Sequence, residues 1–268
     1  MTKLPTEKPM REIRRAFATA AIVFACLGAL GGQAAAQPQI PLPVPDPSGP
    51  SNIFYGAVPP GPPGPATSEV LVFVHGLGGT ADNWWLANNT YQMAFALGYR
   101  TAFVELVPDA SIVDNGQMLR VALPIIAEHY SVEKMVLVGH SKGGVDIQVA
   151  MIAPAFANLV KAVFTLASPN QGTELADWAF GPGLPIAGGL GLLSPGVFSL
   201  RTVNMEAFRC VADPIFRASG IPFYTMEATQ FIGNPITTVT GAILKQLVPD
   251  EKNDGFVTVP RAKLPFDY

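Results

Sequence analysis

Residues 134–144 read Lys134-Met135-Val136-Leu137-Val138-Gly139-His140-Ser141-Lys142-Gly143-Gly144, and this stretch decides the fold. Residues 134–138 form a short apolar run of the kind found in a strand buried on both faces of a parallel sheet. A helical pattern follows from about Lys142 to Ile152. The glycines and the serine therefore occupy a strand-to-helix junction. Such an abrupt turn leaves no room for side chains two residues before or after the serine, hence Gly139 and Gly143. It would project the Ser141 hydroxyl from the carboxyl end of the sheet, facing the N–H groups that open the next helix. Ser141 is the candidate nucleophile.

Val70–Val74 is a second continuous apolar run. Residues 101–106, 160–166 and, more weakly, 222–227 are further expected strands. Residues 91–97 read as a helix closed by Gly98. Residues 114–130 read as another, which Pro124 should kink or restart. Strands alternating with helices predict an α/β architecture: a mostly parallel sheet with helices on both faces, in one domain at residues 68–268.

Half the 268 residues are apolar and 14% are charged, enough for a sizeable core. The N-terminus reads as a signal peptide over residues 1–36: Lys3, Lys8, Arg11, Arg14 and Arg15, an uncharged apolar run over 16–30, then Gln33-Ala34-Ala35-Ala36. Cleavage there would leave 12 basic and 18 acidic groups, a net −6. Such an acidic body gives no footprint for nucleic acid. The expected location is extracellular or periplasmic, with Arg14-Arg15 also resembling a twin-arginine signal. Residues 37–67 carry eleven prolines and four glycines and read as a linker or arm, attached at Ile53-Phe54-Tyr55. Cys26 would leave with the signal. Cys210 would then stand alone, and a buried small apolar role is expected for it.

Three stretches carry a family resemblance: Val72-Phe73-Val74-His75-Gly76-Leu77-Gly78-Gly79, the run 136–146 around Ser141, and Ala167-Ser168-Pro169-Asn170-Gln171-Gly172-Thr173. They resemble bacterial secreted lipases and esterases of the α/β-hydrolase superfamily, from about Val70 to Val259. The resemblance implies a serine carboxylic-ester hydrolase acting on apolar acyl chains through an acyl-enzyme, with lipid degradation as its setting. Within that reading, aliphatic polyesters are a further substrate class. It also implies that backbone N–H groups of Leu77 and Lys142 form the oxyanion hole, each worth on the order of 3 kcal/mol, with His75 fixing the first loop. Asn253-Asp254-Gly255-Phe256-Val257 resembles the family's acid segment. Asp254 is therefore the expected acid, ahead of Asp250 and Asp213, although Asn-Asp-Gly also suits a plain turn.

The same family places its catalytic histidine after the acid, and here no histidine follows Ser141. His129 falls on a flanking helix, and the His140 ring should point away from the hydroxyl. The expectation is a sequence that stops short of its histidine and last helix. The alternative is an α/β-hydrolase body, impaired in catalysis, with a binding role. Residues 172–220 read as an insertion whose segment 179–200 holds six glycines, three prolines and no charge. It is expected either as a mobile lid at a lipid–water interface or as a packed wall of an acyl pocket. Ser131-Val132-Glu133-Lys134 matches an S-x-x-K spacing but leads into a strand. Three histidines without ligand spacing give no metal site. No cofactor, metal or obligate protein partner is expected; the partner is an ester or lipid substrate.

Overall fold

A computed structural model describes residues 40–60, 69–230 and 235–266. The expected signal at 1–36 lies outside the described residues. In chain order the elements are β1 (Val44–Pro45), β2 (Ile53–Tyr55), β3 (Val70–Val74), α1 (Thr90–Ala96), β4 (Arg100–Val104), α2 (Ile112–Tyr130), β5 (Met135–His140), α3 (Lys142–Met151), α4 (Pro154–Ala157) and β6 (Val160–Leu166). There follow α5 (Glu174–Ala179), α6 (Leu184–Ala187), α7 (Pro195–Ser199), α8 (Thr202–Ser219), β7 (Phe223–Met226), α9 (Pro235–Leu247) and α10 (Val259–Ala262).

The sheet order is β1-β2-β4-β3-β5-β6-β7. The strands from β4 to β7 are parallel, while β2 pairs antiparallel with β4 and β1 with β2. Alternate side chains sort to two faces. Val70, Val72, Val74, Ala102 and Val104 meet Leu119, Leu123, Ile147 and Phe216 from α2, α3 and α8. Phe73 and Phe103 point the other way, against Trp84 and the α1 residue Tyr91. Both faces are covered, as burial of continuous apolar strands requires.

The Pro-rich arm supplies β1 and β2. Ile53 is fully buried opposite Val104, with Tyr55 opposite Ala102. The Tyr91 hydroxyl ties the arm down from both sides, donating to the Pro41 carbonyl at 2.7 Å and accepting from the Ala57 N–H at 3.0 Å.

Three expectations are corrected. Pro124 does not restart α2, which is assigned as one helix from Ile112 to Tyr130 with Pro124 inside it. Pro124 is exposed, and buried Leu119, Leu123 and Ile126 hold both halves against the core. β5 extends through Gly139 and His140, so the strand reaches the serine itself. Cys210 is exposed. The buried stripe of α8 is Met205, Arg209, Ala212 and Phe216, and position 210 falls just off it.

Candidate active site

Because β5 ends at His140 and α3 begins at Lys142, Ser141 alone makes the turn. Its φ of 51° and ψ of −129° are costly for a residue with a Cβ, on the order of 1–3 kcal/mol. Neighbouring backbone holds it there: its N–H donates to the Leu166 carbonyl at 2.8 Å, and its carbonyl accepts from Gly144 N–H at 3.1 Å. A Cβ on Gly139 would lie 2.5 Å from the Gly144 Cα, and one on Gly143 would lie 2.2 Å from the His75 carbonyl oxygen. Only glycine fits at either place.

The loop after β3 runs against this turn. A Cβ built on Gly76 would lie 2.8 Å from the Ser141 Cβ and 3.3 Å from His140 Nδ1. Ser141 and the His140 ring thus both border Gly76. His75 is buried, and both its ring nitrogens are engaged. Leu106 N–H donates to Nε2 at 2.9 Å, and Nδ1 lies 2.8 Å from the Gly76 carbonyl. The Leu106 bond needs a lone pair on Nε2, so the proton sits on Nδ1 and donates to Gly76. Burial pushes the His75 pKa below its ordinary value. His129 stacks on Tyr55 at 3.6 Å, near the C-terminus of α2 and far along the fold from the serine turn.

Lys142 opens α3, whose first N–H groups have no acceptor within the helix. Its side chain turns inward and is buried, with Nζ 3.0 Å from both oxygens of Asp146. Asn115 donates to Asp146 at 3.2 Å and to the Val107 carbonyl at 3.1 Å. Burial drives the Asp146 carboxyl up to about 7, with Lys142 opposing. Sequence reasoning missed Asp146 and Asn115; the signal was the i,i+4 Lys–Asp spacing just after the serine.

The insertion between β6 and β7 touches the same place. A Cβ on Gly196 in α7 would lie 2.7 Å from Leu77 Cδ1 and 3.1 Å from Lys142 Cε. The side chains of Leu77 and Lys142, whose backbone N–H groups are the expected oxyanion donors, thus both lie against α7. Gly196 N–H donates to the Asp109 carbonyl at 2.9 Å. Val197, Leu200, Ala179, Ala187 and Leu192 are buried, whereas Leu184, Ile186, Leu193 and Phe198 are exposed. Leu184, Leu193 and Phe198 border an open apolar trough of about 520 Å³, with Phe180 and Pro195 in its wall.

Asp254 is half-buried. One carboxylate oxygen accepts from Phe256 N–H at 2.9 Å and Val257 N–H at 2.8 Å. Burial raises its pKa, against those two bonds. No hydrogen bond joins Asp254 to Ser141 among the described residues. The link is indirect, through the 167–173 motif. Asn170 receives a 2.8 Å bond from Gln148 of α3 and donates to the Thr165 hydroxyl and the Ala262 carbonyl. Gln171 donates to Pro260 and Lys263 carbonyls, and Thr173 to the Phe256 carbonyl. The Arg261–Glu174 pair at 2.7 Å closes the clasp. Asp250 is exposed beyond α9, and Asp213 lies on α8 beside Arg209.

No family model matches the chain. Two triacylglycerol lipases, from Pseudarthrobacter phenanthrenivorans and Burkholderia plantarii, are each 30% identical over 120 residues, 42% of this chain. The chain spans only about a third of the length of these curated relatives, 37% and 33%. The crystal structure of Bacillus licheniformis lipase BlEst2 in its mature form is 34% identical, with a TM-score of 0.72. That likeness covers 80% of this chain and 86% of the Bacillus chain. With a mostly parallel sheet covered on both faces and this degree of identity over most of both chains, the protein belongs to the α/β-hydrolase lipases and esterases.

Proposed function

We propose that the chain is built to cleave carboxylic esters with apolar acyl groups through an acyl-enzyme on Ser141. The Ser141 oxygen attacks the acyl carbon. The Leu77 and Lys142 backbone N–H groups receive the oxyanion; the acyl C–O bond to the alcohol breaks, the Ser141 hydroxyl proton passes to the departing alkoxide, and water then hydrolyses the acyl-enzyme to the acid and restores the Ser141 hydroxyl. Asp254 is the acid of the site. The observation that carries this reading is the backbone of Ser141 itself: a strained conformation at the mouth of a helix, maintained by two glycines and lying against a second glycine loop. Strain of this kind persists where function requires it. The names of the relatives, lipases in each case, support the same chemistry.

The exposed apolar residues of 184–198 favour a lipid or other water-poor ester as substrate, whether triacylglycerol, simple ester or aliphatic polyester. Export through the 1–36 signal would place the protein where such substrates occur. The test is the initial rate against p-nitrophenyl esters of rising chain length, with and without an emulsion. Rates that rise with chain length and vanish in Ser141→Ala support the proposal; turnover retained in Ser141→Ala contradicts it.

A second reading has its own observation. Of the three histidines, His75 has both nitrogens engaged and His129 is stacked on Tyr55. This leaves His140 alone beside the serine, without a carboxylate partner among the described hydrogen bonds. A hydroxyl without an oriented base is a weak nucleophile. An impaired hydrolase body that binds esters without turning them over fits that arrangement. Tight binding of a long-chain ester without product release would favour it.

A further inference from the structure

Residues 106–109, between β4 and α2, hold both the oxyanion loop and α7. Leu106 N–H donates to His75 Nε2 at 2.9 Å, and the Pro108 carbonyl accepts from Gly78 N–H at 3.4 Å. Leu77 lies between those two anchors, so the direction of its N–H follows residues 106–109. The Asp109 carbonyl accepts from Gly196 N–H of α7 at 2.9 Å. Lys142, the other expected oxyanion donor, belongs to α3. Two donors serve one oxyanion only if their elements keep a fixed register, and a misplacement of about 1 Å can cost a hundredfold in rate.

Asn115 of α2 bridges the two. It is 1% exposed, and its amide nitrogen donates to the Val107 carbonyl at 3.1 Å and to Asp146 Oδ2 at 3.2 Å. Asp146, equally buried, receives Lys142 Nζ on both oxygens at 3.0 Å. Hydrogen bonds thus run from residue 107 to the side chain of the residue whose backbone N–H is the α3 donor. Asn115 Oδ1 is buried without a partner. Turning the amide over would aim that oxygen at two other oxygens, so the bridge forms one way only and leaves one acceptor unmatched. Proteins break polar matching at functional sites and offset it elsewhere.

We propose that Asn115, acting through Asp146, is a positioning residue that sets the Leu77 and Lys142 backbone N–H groups against each other. The proposal rests on the reading of Ser141 as nucleophile with those two donors. Its test is the rate of Ser141 phosphonylation by a fluorophosphonate ester, resolved into kinact and KI, since the phosphonyl oxygen takes the oxyanion's place as fluoride leaves. Asn115→Leu keeps the branched shape and removes both bonds. It should lower kinact about tenfold or more and leave KI within about twofold. Loss of folded protein alone would instead lower the yield of adduct and leave kinact of the remainder unchanged. Lys142→Met with Asp146→Leu replaces the buried pair by apolar groups, an exchange that folded proteins often tolerate. It cuts the same bridge, should lower kinact likewise, and decides alone should Asn115→Leu fail to fold. Asn115→Leu added to it should lower kinact by no more than about twofold further, because the bridge is already cut. Wild-type kinact in either folded variant, or losses that multiply, overturns the positioning role while the nucleophile stands. A wild-type protein that stays unlabelled on Ser141 overturns the nucleophile, and this role with it.

Discussion

The tightest constraints in the molecule sit on single residues around Ser141. A Cβ on Gly143 would come within 2.2 Å of a backbone oxygen that cannot move without shifting β3. Gly143→Ala should therefore cost about 3 kcal/mol or more in urea denaturation, at the upper end for overpacking. Wild-type stability in that variant would contradict the packing described. His75 gives a pH signature. Its buried ring is required neutral, because Nε2 accepts from Leu106, and its folded pKa lies below the unfolded 6.5. The unfolded chain then binds the extra proton first. The His75 contribution to stability is complete above about pH 6.5 and falls as pH drops through 6.5 towards the folded value. Denaturation midpoints from pH 8 to pH 5 should show this slope, and His75→Gln should flatten it. Gly139, Gly143 and Ser141 were legible in the sequence because their demands are local sterics. The buried Lys142–Asp146–Asn115 cluster was not: its spacing is visible, but its burial depends on α2 and α7 arriving from far along the chain.

At the level of elements, the insertion has one packed side and one exposed side. Its Gly196 and Val197 side packs on Leu77 and Lys142, while Leu184, Ile186 and Phe198 face outward. Composition could not separate these sides, since glycine and proline interrupt the periodicity that reveals a buried face. Leu184→Ser with Phe198→Ser should lower activity on emulsified ester at least severalfold and leave soluble short esters nearly unchanged. Equal losses on both would mean that the exposed side has no part at the interface. Gly196→Val should instead impair both substrates, because its side chain would strike Leu77 and the Ala110 carbonyl. In the arm, the attachment expected at Ile53-Phe54-Tyr55 is β2, with Ile53 fully buried; that it is a strand was hidden among eleven prolines, since β2 needs only three residues and a partner in β4. Ile53→Ala should cost about 2–5 kcal/mol by denaturation, and a loss near zero would show the arm to be detachable.

Across the whole molecule, the sheet places three separate sequence stretches at one end: the 75–79 loop, the serine turn, and the 167–173 motif that clasps the segment bearing Asp254. The strand and helix pattern made this order legible, because parallel strands put all their outgoing loops on the same side. The sequence shows no histidine after Ser141, and the fold gives two of its three histidines other surroundings. His75 is a scaffold for its loop, His129 packs at the far end of α2, and His140 alone borders the serine. The proposed chemistry therefore requires Ser141 to be a reactive hydroxyl. Intact mass after incubation with a fluorophosphonate ester tests this most directly. The expected result is a single covalent adduct, mapped to the peptide containing Ser141 and absent from Ser141→Ala. A well-folded protein that stays unlabelled, or carries the adduct on any other residue, would contradict it.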